Sequence, residues 1–361
     1  MKRNLLLLIF PLLVSMLFGA CNGTSLRPKP SVNSSIVASP DKPTPLRCGD
    51  GICDGPENNA NCPADCFQSS TAVPSIPTST VQPITTASPI NLPVVEGGDQ
   101  SDTYRVTNPT TGARLYVKIL HPAGWTDGGL PAWVLVPGGI GSGSDLTRPK
   151  DAAPALAQAG YTVVIFDPDG RGQSEGVENY DGFAQQDGLA AVIRFAATLP
   201  EVDAARLGAI SFSYGVTMAS GALARNPDLP VRYYIDWEGP ADRNYTTSGC
   251  GPTQRIQWQP CTDNPWWSER EAVNFIGKLR IPYQRIQSEQ DHVQPDNRHA
   301  VDMINAAVNG DVPWVRLNDL QPVQTYDPNN PPAMLPEEES QSQAELAVRF
   351  AREILALHPG G

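Results

Sequence analysis

Histidine is scarce in this chain: four occur in 361 residues, at 121, 292, 299 and 358, and none lies over 300–357. Any imidazole chemistry therefore rests on very few side chains. Basic residues are also short. Twenty-six Lys and Arg stand against 38 Asp and Glu, a formal net charge of −12 without a clustered basic stripe, which excludes nucleic-acid binding. Long apolar runs are missing except over 5–18, where Pro11 interrupts a stretch shorter than the about 20 residues a membrane helix needs. With Lys2 and Arg3 before it, that stretch reads as a cleaved secretory signal. The Gly-rich segment 137–144 lacks the Gly-Lys-Ser/Thr ending of a phosphate loop, and nothing twenty residues on behaves like the ribose-binding acid of a dinucleotide fold. No internal repeat is visible.

The signal ends in Leu17-Phe18-Gly19-Ala20-Cys21, which resembles a bacterial lipobox. By that resemblance 1–20 is a lipoprotein signal peptide and Cys21 the acylated first residue of an exported protein, anchored by lipid to the extracytoplasmic side of a bacterial membrane. The alternative is a plain signal peptide with a cysteine nearby. Composition then divides the chain into a Pro/Ser-rich tether over 21–47, a small Cys-rich module over 48–66, a Pro/Ser/Thr-rich linker over 67–97 and one large domain over 98–361. Without Cys21 six cysteines remain, an even number that suits disulfides in an oxidising compartment.

Four of the six, Cys48, Cys53, Cys62 and Cys66, lack the spacing of a zinc ribbon and have no histidine near them. The segment looks like the C-G-D-G-x-C…C-P-x-D-C modules of secreted bacterial proteins. Its connectivity stays open among three pairings. The carboxylates Asp50, Asp54, Glu57 and Asp65 are hard oxygen ligands that would suit calcium, whereas a disulfide-stapled knot would need no metal.

Within 98–361 apolar strand patterns alternate with helix patterns. Strands are expected within 132–139 and 161–167, after 208, and over 231–236, 279–287 and 313–317; helices over 187–199 and 216–225. A turn is expected over 202–208. Such alternation predicts an α/β domain with a mostly parallel central sheet covered by helices on both faces. The segment 208–215 reads Gly-Ala-Ile-Ser-Phe-Ser-Tyr-Gly, in which Ser213 is set between the small residues Ser211 and Gly215. That is the form of a nucleophile elbow, with Ser211 where the usual first glycine stands.

Three ordered motifs over roughly 104–357 resemble the α/β-hydrolase family, in particular dienelactone hydrolase and esterase-like serine hydrolases. They are the strand and Gly-rich turn at 132–139, the Asp-Pro-Asp-Gly-Arg-Gly-Gln-Ser-Glu-Gly turn at 167–176, and the Ser213 elbow. The resemblance implies an α/β-hydrolase fold, Ser213 as nucleophile, and an oxyanion hole formed by Gly138, Gly139 and Tyr214. The loop 287–295, Gln-Ser-Glu-Gln-Asp-His-Val-Gln-Pro, is similar to the family's G-x-x-D-x-x-V-P, which gives Asp291 the place of the triad acid.

At its most demanding position the pattern fails. After the strand at 313–317 a histidine should supply the general base, and Asn318-Asp319 stand there instead. His358 lies in the tail, His121 closes an early strand, and His299 sits in a helix pattern where a surface or packing role is expected. His292 remains, on a loop carried to the carboxyl ends of the strands. Neighbouring side chains of an extended loop point apart, so Asp291 is badly placed to orient His292, and Glu238 beyond the 231–236 strand becomes the preferred partner. The expected constellation is Ser213 as nucleophile, His292 as base, and Glu238 or Asp291 as acid, acting on a small-molecule ester or amide with no cofactor. The competing readings are a non-catalytic binding protein on the same scaffold and a surface adhesion module that recognises through the Cys-rich segment. An insertion at about 240–272 is expected to cap the site, stapled by a Cys250–Cys261 disulfide, with Trp258, Trp266 and Trp267 forming either a substrate-facing wall or the cap's own core.

Overall fold

The computed structural model describes residues 95–97, 102–246 and 259–358. The expectations for Cys21, for the module from Cys48 to Cys66 with its acidic residues, and for Cys250 and Trp258 lie outside the described residues.

Nine strands form one sheet: β1 (Val95–Gly97), β2 (Thr103–Thr107), β3 (Arg114–Leu120), β4 (Leu130–Val136), β5 (Thr162–Phe166), β6 (Val202–Phe212), β7 (Tyr233–Trp237), β8 (Tyr283–Ile286) and β9 (Val315–Leu317). Their order is β1-β2-β3-β5-β4-β6-β7-β8-β9. The first three are an antiparallel meander joined antiparallel to β5, and the rest run parallel. Eight helices accompany them among the described residues: α1 (Ala152–Gln158), α2 (Phe183–Ala196), α3 (Gly215–Arg225), α4 (Asn264–Ser268), α5 (Val273–Ile276), α6 (Arg298–Asn309), α7 (Glu337–Ser340) and α8 (Gln343–Leu357).

The two-residue period of a strand explains the two cores. In β4, Ala132, Val134 and Val136 join the cluster holding α2, α3 and α6, whereas Trp133 and Leu135 join that of α1 and α8. A strand buried on both faces reads as a continuous apolar run, which is why 132–136 was conspicuous. The expected turn over 202–208 lies inside a strand. Leu130 pairs with Val202 but Ala132 with Leu207, so the residues between bulge out, and Asp203 accepts a hydrogen bond from Ala205 N at 2.9 Å there. β8 starts at Tyr283 rather than at 279, directly after Pro282, which has no N–H to donate to a ladder.

The chain leaves β4 toward β5 on one side of the sheet and later returns to β6 on the other. That reversal opens a crevice at the carboxyl ends of β4 and β6, where loops can meet. Beneath it lies a buried ion pair across β7 and β8: Arg285 Nη1 donates to Asp236 Oδ2 at 2.5 Å, both side chains fully buried. Tyr283 donates to the same oxygen at 3.0 Å, and Arg285 Nη2 donates to the carbonyl of Gly239 at 2.8 Å and to Gln287 Oε1 at 2.7 Å. This array fastens the chain just beyond both strands.

In the insertion the structure decides between the two readings of Trp267. Its ring is fully buried, and Nε1 donates to the carbonyl of Pro260 at 3.0 Å, so it is core rather than substrate wall. Trp266 is half-buried against the Arg270 guanidinium, whose carbon lies 4.1 Å from the ring centre. With Cys250 outside the described residues, so is the staple.

Removing one partner of a buried pair strands the other charge. Arg285→Leu should therefore lower unfolding free energy by about 3–5 kcal/mol, read from the denaturant midpoint. A loss below about 1 kcal/mol would mean that Tyr283 and the Gly239 N–H hold Asp236 well enough without the guanidinium.

Candidate active site

Ser213 follows the last residue of β6 and precedes α3, with φ at 51°. A non-glycine residue in the left-handed region stores about 1–3 kcal/mol, tolerated only where the surroundings over-determine it. Here they do. Ser213 N donates to the carbonyl of Trp237 at 2.9 Å, and a Cβ on Gly138 would lie 2.6 Å from the Phe212 carbonyl oxygen and 3.0 Å from Ser213 Cβ. Only glycine fits at 138. The departure at Ser211 also has a cause, because its buried hydroxyl is 2.6 Å from the Tyr234 hydroxyl.

Two side chains converge on Ser213 from the next strand ends. His292 Nε2 is 2.9 Å from Ser213 Oγ, and His292 Nδ1 is 2.9 Å from Glu238 Oε2. Glu238 follows β7 directly, also left-handed at φ 48° and fully buried. Its Oε2 accepts a second bond from His292 N at 3.2 Å; its Oε1 accepts from Ser288 N at 3.1 Å and from Ser340 Oγ at 2.8 Å. The Trp237 ring centre lies 4.7 Å from that of His292, and Trp237 Nε1 donates to Ser340 O at 3.0 Å. The imidazole is thus held from behind by a carboxylate and along one side by an indole.

Asp291 corrects an expectation. Its loop is not extended: Oδ1 accepts from Val293 N and Gln294 N, each at 2.8 Å, and those bonds curl the chain so that Oδ1 comes within 3.3 Å of its neighbour's Nδ1. Oδ2 accepts from Gln287 Nε2 at 2.9 Å and lies 3.3 Å from His299 Nε2. His299, in α6, is fully buried, as the packing alternative for it expected.

Asn318 and Asp319 do not occupy the base position. Asn318, left-handed at φ 49°, clasps the backbone of Gln287: its Oδ1 accepts from Gln287 N and its Nδ2 donates to Gln287 O, both at 2.9 Å. Asp319 pairs with Arg349. His121 is 3.5 Å from Asp102 and stacked on Trp125, and His358 stands edge-on to Trp314. Of the oxyanion-hole candidates, Gly138 abuts the elbow, Gly139 follows it at φ 56°, and Tyr214 is the residue between Ser213 and α3.

The surrounding charges set the proton affinities of these groups. Burial opposes charge on His292, but the two carboxylates beside its Nδ1, Asp291 and Glu238, outweigh it and raise the imidazole from 6.5 to about 9. Burial would raise Glu238, yet its bonds from His292, Ser288 and Ser340 hold it below the usual carboxylate range. Asp291 is likewise held low, against burial, by His292 and His299. Among the described residues Glu238, Asp291 and His292 are the one group whose ligand atoms, all within 4.8 Å of one another, could hold a metal ion. Every one of the carboxylate oxygens accepts a protein hydrogen bond, so the set fits a shared proton better than a cation.

Sequence reasoning missed Ser340, Ser288 and Trp237 as supports of the site. Trp237 adjoins Glu238 and was within reach. Ser340, 102 positions away in a Pro- and Glu-rich stretch, carries no local signal.

A family model, X-Pro dipeptidyl-peptidase (S15 family), matches residues 111–250, under half of the chain. No curated protein matches the chain. Among solved structures, dipeptidyl peptidase 4 of Porphyromonas gingivalis superposes with a TM-score of 0.52 at 20% identity, covering 71% of this chain and 35% of that one. Acetyl xylan esterase 1 of Thermoanaerobacterium sp. gives 0.51 at 19% identity, covering 73% and 88%. A puromycin-hydrolyzing peptidase of Mycobacterium tuberculosis gives 0.53 at 14%, covering 70% and 39%. This chain thus spans little more than a third of either peptidase, and at these identities the likeness is one of fold.

Asn318→Ala removes both clasps on Gln287 and leaves its buried N–H unpaired, while its C=O keeps the bond from Leu335 N. A loss of about 2–4 kcal/mol in chemical denaturation is expected, and a neutral effect would refute the clasp.

Proposed function

We propose that this chain, an α/β-hydrolase by fold, is a serine acyl hydrolase that cleaves a small-molecule ester or amide through an acyl-enzyme formed on Ser213. The observation that carries the reading is the unbroken line Ser213 Oγ, His292 Nε2, His292 Nδ1, Glu238 Oε2, with 2.9 Å at each contact between residues. A serine hydroxyl alone is a poor nucleophile, and a positioned base within about 2.6–3.2 Å is what activates it.

In the proposed reaction Ser213 Oγ attacks the acyl carbon as its proton passes to His292 Nε2, and the carbonyl electrons move onto oxygen. Backbone N–H groups of Gly139 and Tyr214 are the proposed donors to that oxyanion. Collapse breaks the bond to the leaving alcohol or amine, which takes the proton from His292. Water then attacks the acyl-enzyme with His292 again as base, releasing the acid and restoring Ser213. Glu238 keeps its charge throughout, fixing the tautomer and stabilising the imidazolium. The base therefore comes from the loop after β8 and the acid from the end of β7. Around this domain we propose an exported lipoprotein acylated at Cys21, with a stapled 48–66 module and a cap over 240–272 closed by Cys250 and Cys261.

A fluorophosphonate probe should label the protein, and Ser213→Ala should abolish the labelling; failure to label at any pH would favour a binding protein on this scaffold. The pH dependence follows from the base. A general base must be neutral, and the two carboxylates hold His292 protonated up to about pH 9. Hence kcat/KM for a chromogenic ester should fall about tenfold per pH unit below that value and level off above it. A limb near pH 6.5 would show that the carboxylates do not act on the base.

A further inference from the structure

We propose that Asp291 is a positioning residue for the base: a second carboxylate on the His292 Nδ1–H that adds charge where Glu238 adds direction. The inference rests on the serine-hydrolase reading and deepens it.

The two carboxylates meet the same ring nitrogen differently. Glu238 Oε2 is 2.9 Å from Nδ1 with hydrogen-bond geometry, which fixes where the ring points. Asp291 Oδ1 is 3.3 Å away, within ion-pair distance but without that alignment, and is committed to Val293 N and Gln294 N. An oxygen so placed contributes a field rather than an orientation. Its side chain is fully buried, so little water screens that field.

The turn itself does not need the charge. An asparagine oxygen could accept from both N–H groups equally well. A charged carboxylate at a buried position is costly unless its remaining oxygen is served, and Oδ2 has Gln287 Nε2 at 2.9 Å and His299 Nε2 at 3.3 Å. His299 is in turn placed by the fold's buried array: its Nδ1 lies 3.2 Å from the Gly239 carbonyl oxygen and 3.3 Å from Arg285 Nη2. A polar chain thus runs from the Asp236–Arg285 pair through His299 to Asp291 and ends on the base.

The titratable and charged groups facing this corner are few. Glu238 comes from the end of β7, Asp291 from the ring's own loop and His299 from α6. Arg285 of β8 stands behind His299, paired with Asp236. Ser213, Trp237 and Ser340 complete the surroundings without formal charge. Replacing Asp291 by a neutral acceptor removes one of two negative charges beside the imidazolium and keeps the other, so the base should titrate at lower pH while staying oriented.

The experiment is an NMR titration of the His292 imidazole in the full-length protein, assigned with His292→Ala, in wild type and Asp291→Asn, alongside pH profiles of kcat/KM. The variant should move both the titration and the acid limb down by about one pH unit or more, and the alkaline plateau should fall by about tenfold or less. Glu238→Gln should lower the plateau by about 10³-fold or more, because the ring then loses its orientation. Should Asp291→Asn melt near room temperature, Asp291→Ser offers a hydroxyl to the same N–H groups and tests the same charge. An unshifted titration in a folded variant overturns the proposal, and so does a plateau loss equal to that of Glu238→Gln. Because the imidazole is titrated without substrate, a negative fluorophosphonate result would sink the hydrolase reading and leave this measurement standing.

Discussion

The Glu238 carboxylate is the point on which the site depends. Four donors from two parts of the chain end on it: His292 Nδ1 and N, Ser288 N, and Ser340 Oγ. Together they tie the end of β7 to the loop after β8 and to α7. A carboxylate buried this completely survives as a charge only when its lone pairs are served, and each donor that serves it also fixes a piece of the site. The loop carrying His292 is held by the group that its imidazole needs as a partner.

Backbone geometry makes this arrangement available. Ser213, Glu238 and Asn318 each follow the carboxyl end of a parallel strand, and each has a positive φ, at 51°, 48° and 49°. The first two turns raise a hydroxyl and a carboxylate out of the sheet. The third turns an amide back onto Gln287, five residues before His292, and so supports the loop that carries that imidazole.

The placing of His292 in the loop after β8 brings two carboxylates to a single ring nitrogen. In the loop after β8 an acid and a histidine are sequence neighbours, while Glu238 approaches from the adjoining strand. Buried acceptors on both sides of Nδ1 hold the imidazole charged, and the polar chain behind them reaches the Asp236–Arg285 pair.

Much of this was legible in the residues. Alternating apolar runs specified a parallel sheet because a strand buried on both faces has no polar face to show, and Ser211, Ser213 and Gly215 marked an elbow because only small residues allow the backbones to approach there. The scarcity of histidine left His292 as the candidate base by elimination, and Glu238 was preferred as its partner because it stands just beyond a strand end; the two do lie 2.9 Å apart. The curl of the Asp291 loop, the burial of His299, the clasp made by Asn318 and the arrival of Ser340 from 102 positions away had no local signal. They depend on which strand ends lie side by side, and that is set by sheet order and packing. Residue spacing determines the candidates for chemistry; only the folded sheet decides which of them meet, because hydrogen bonds between distant residues form only after the strands that carry them have paired.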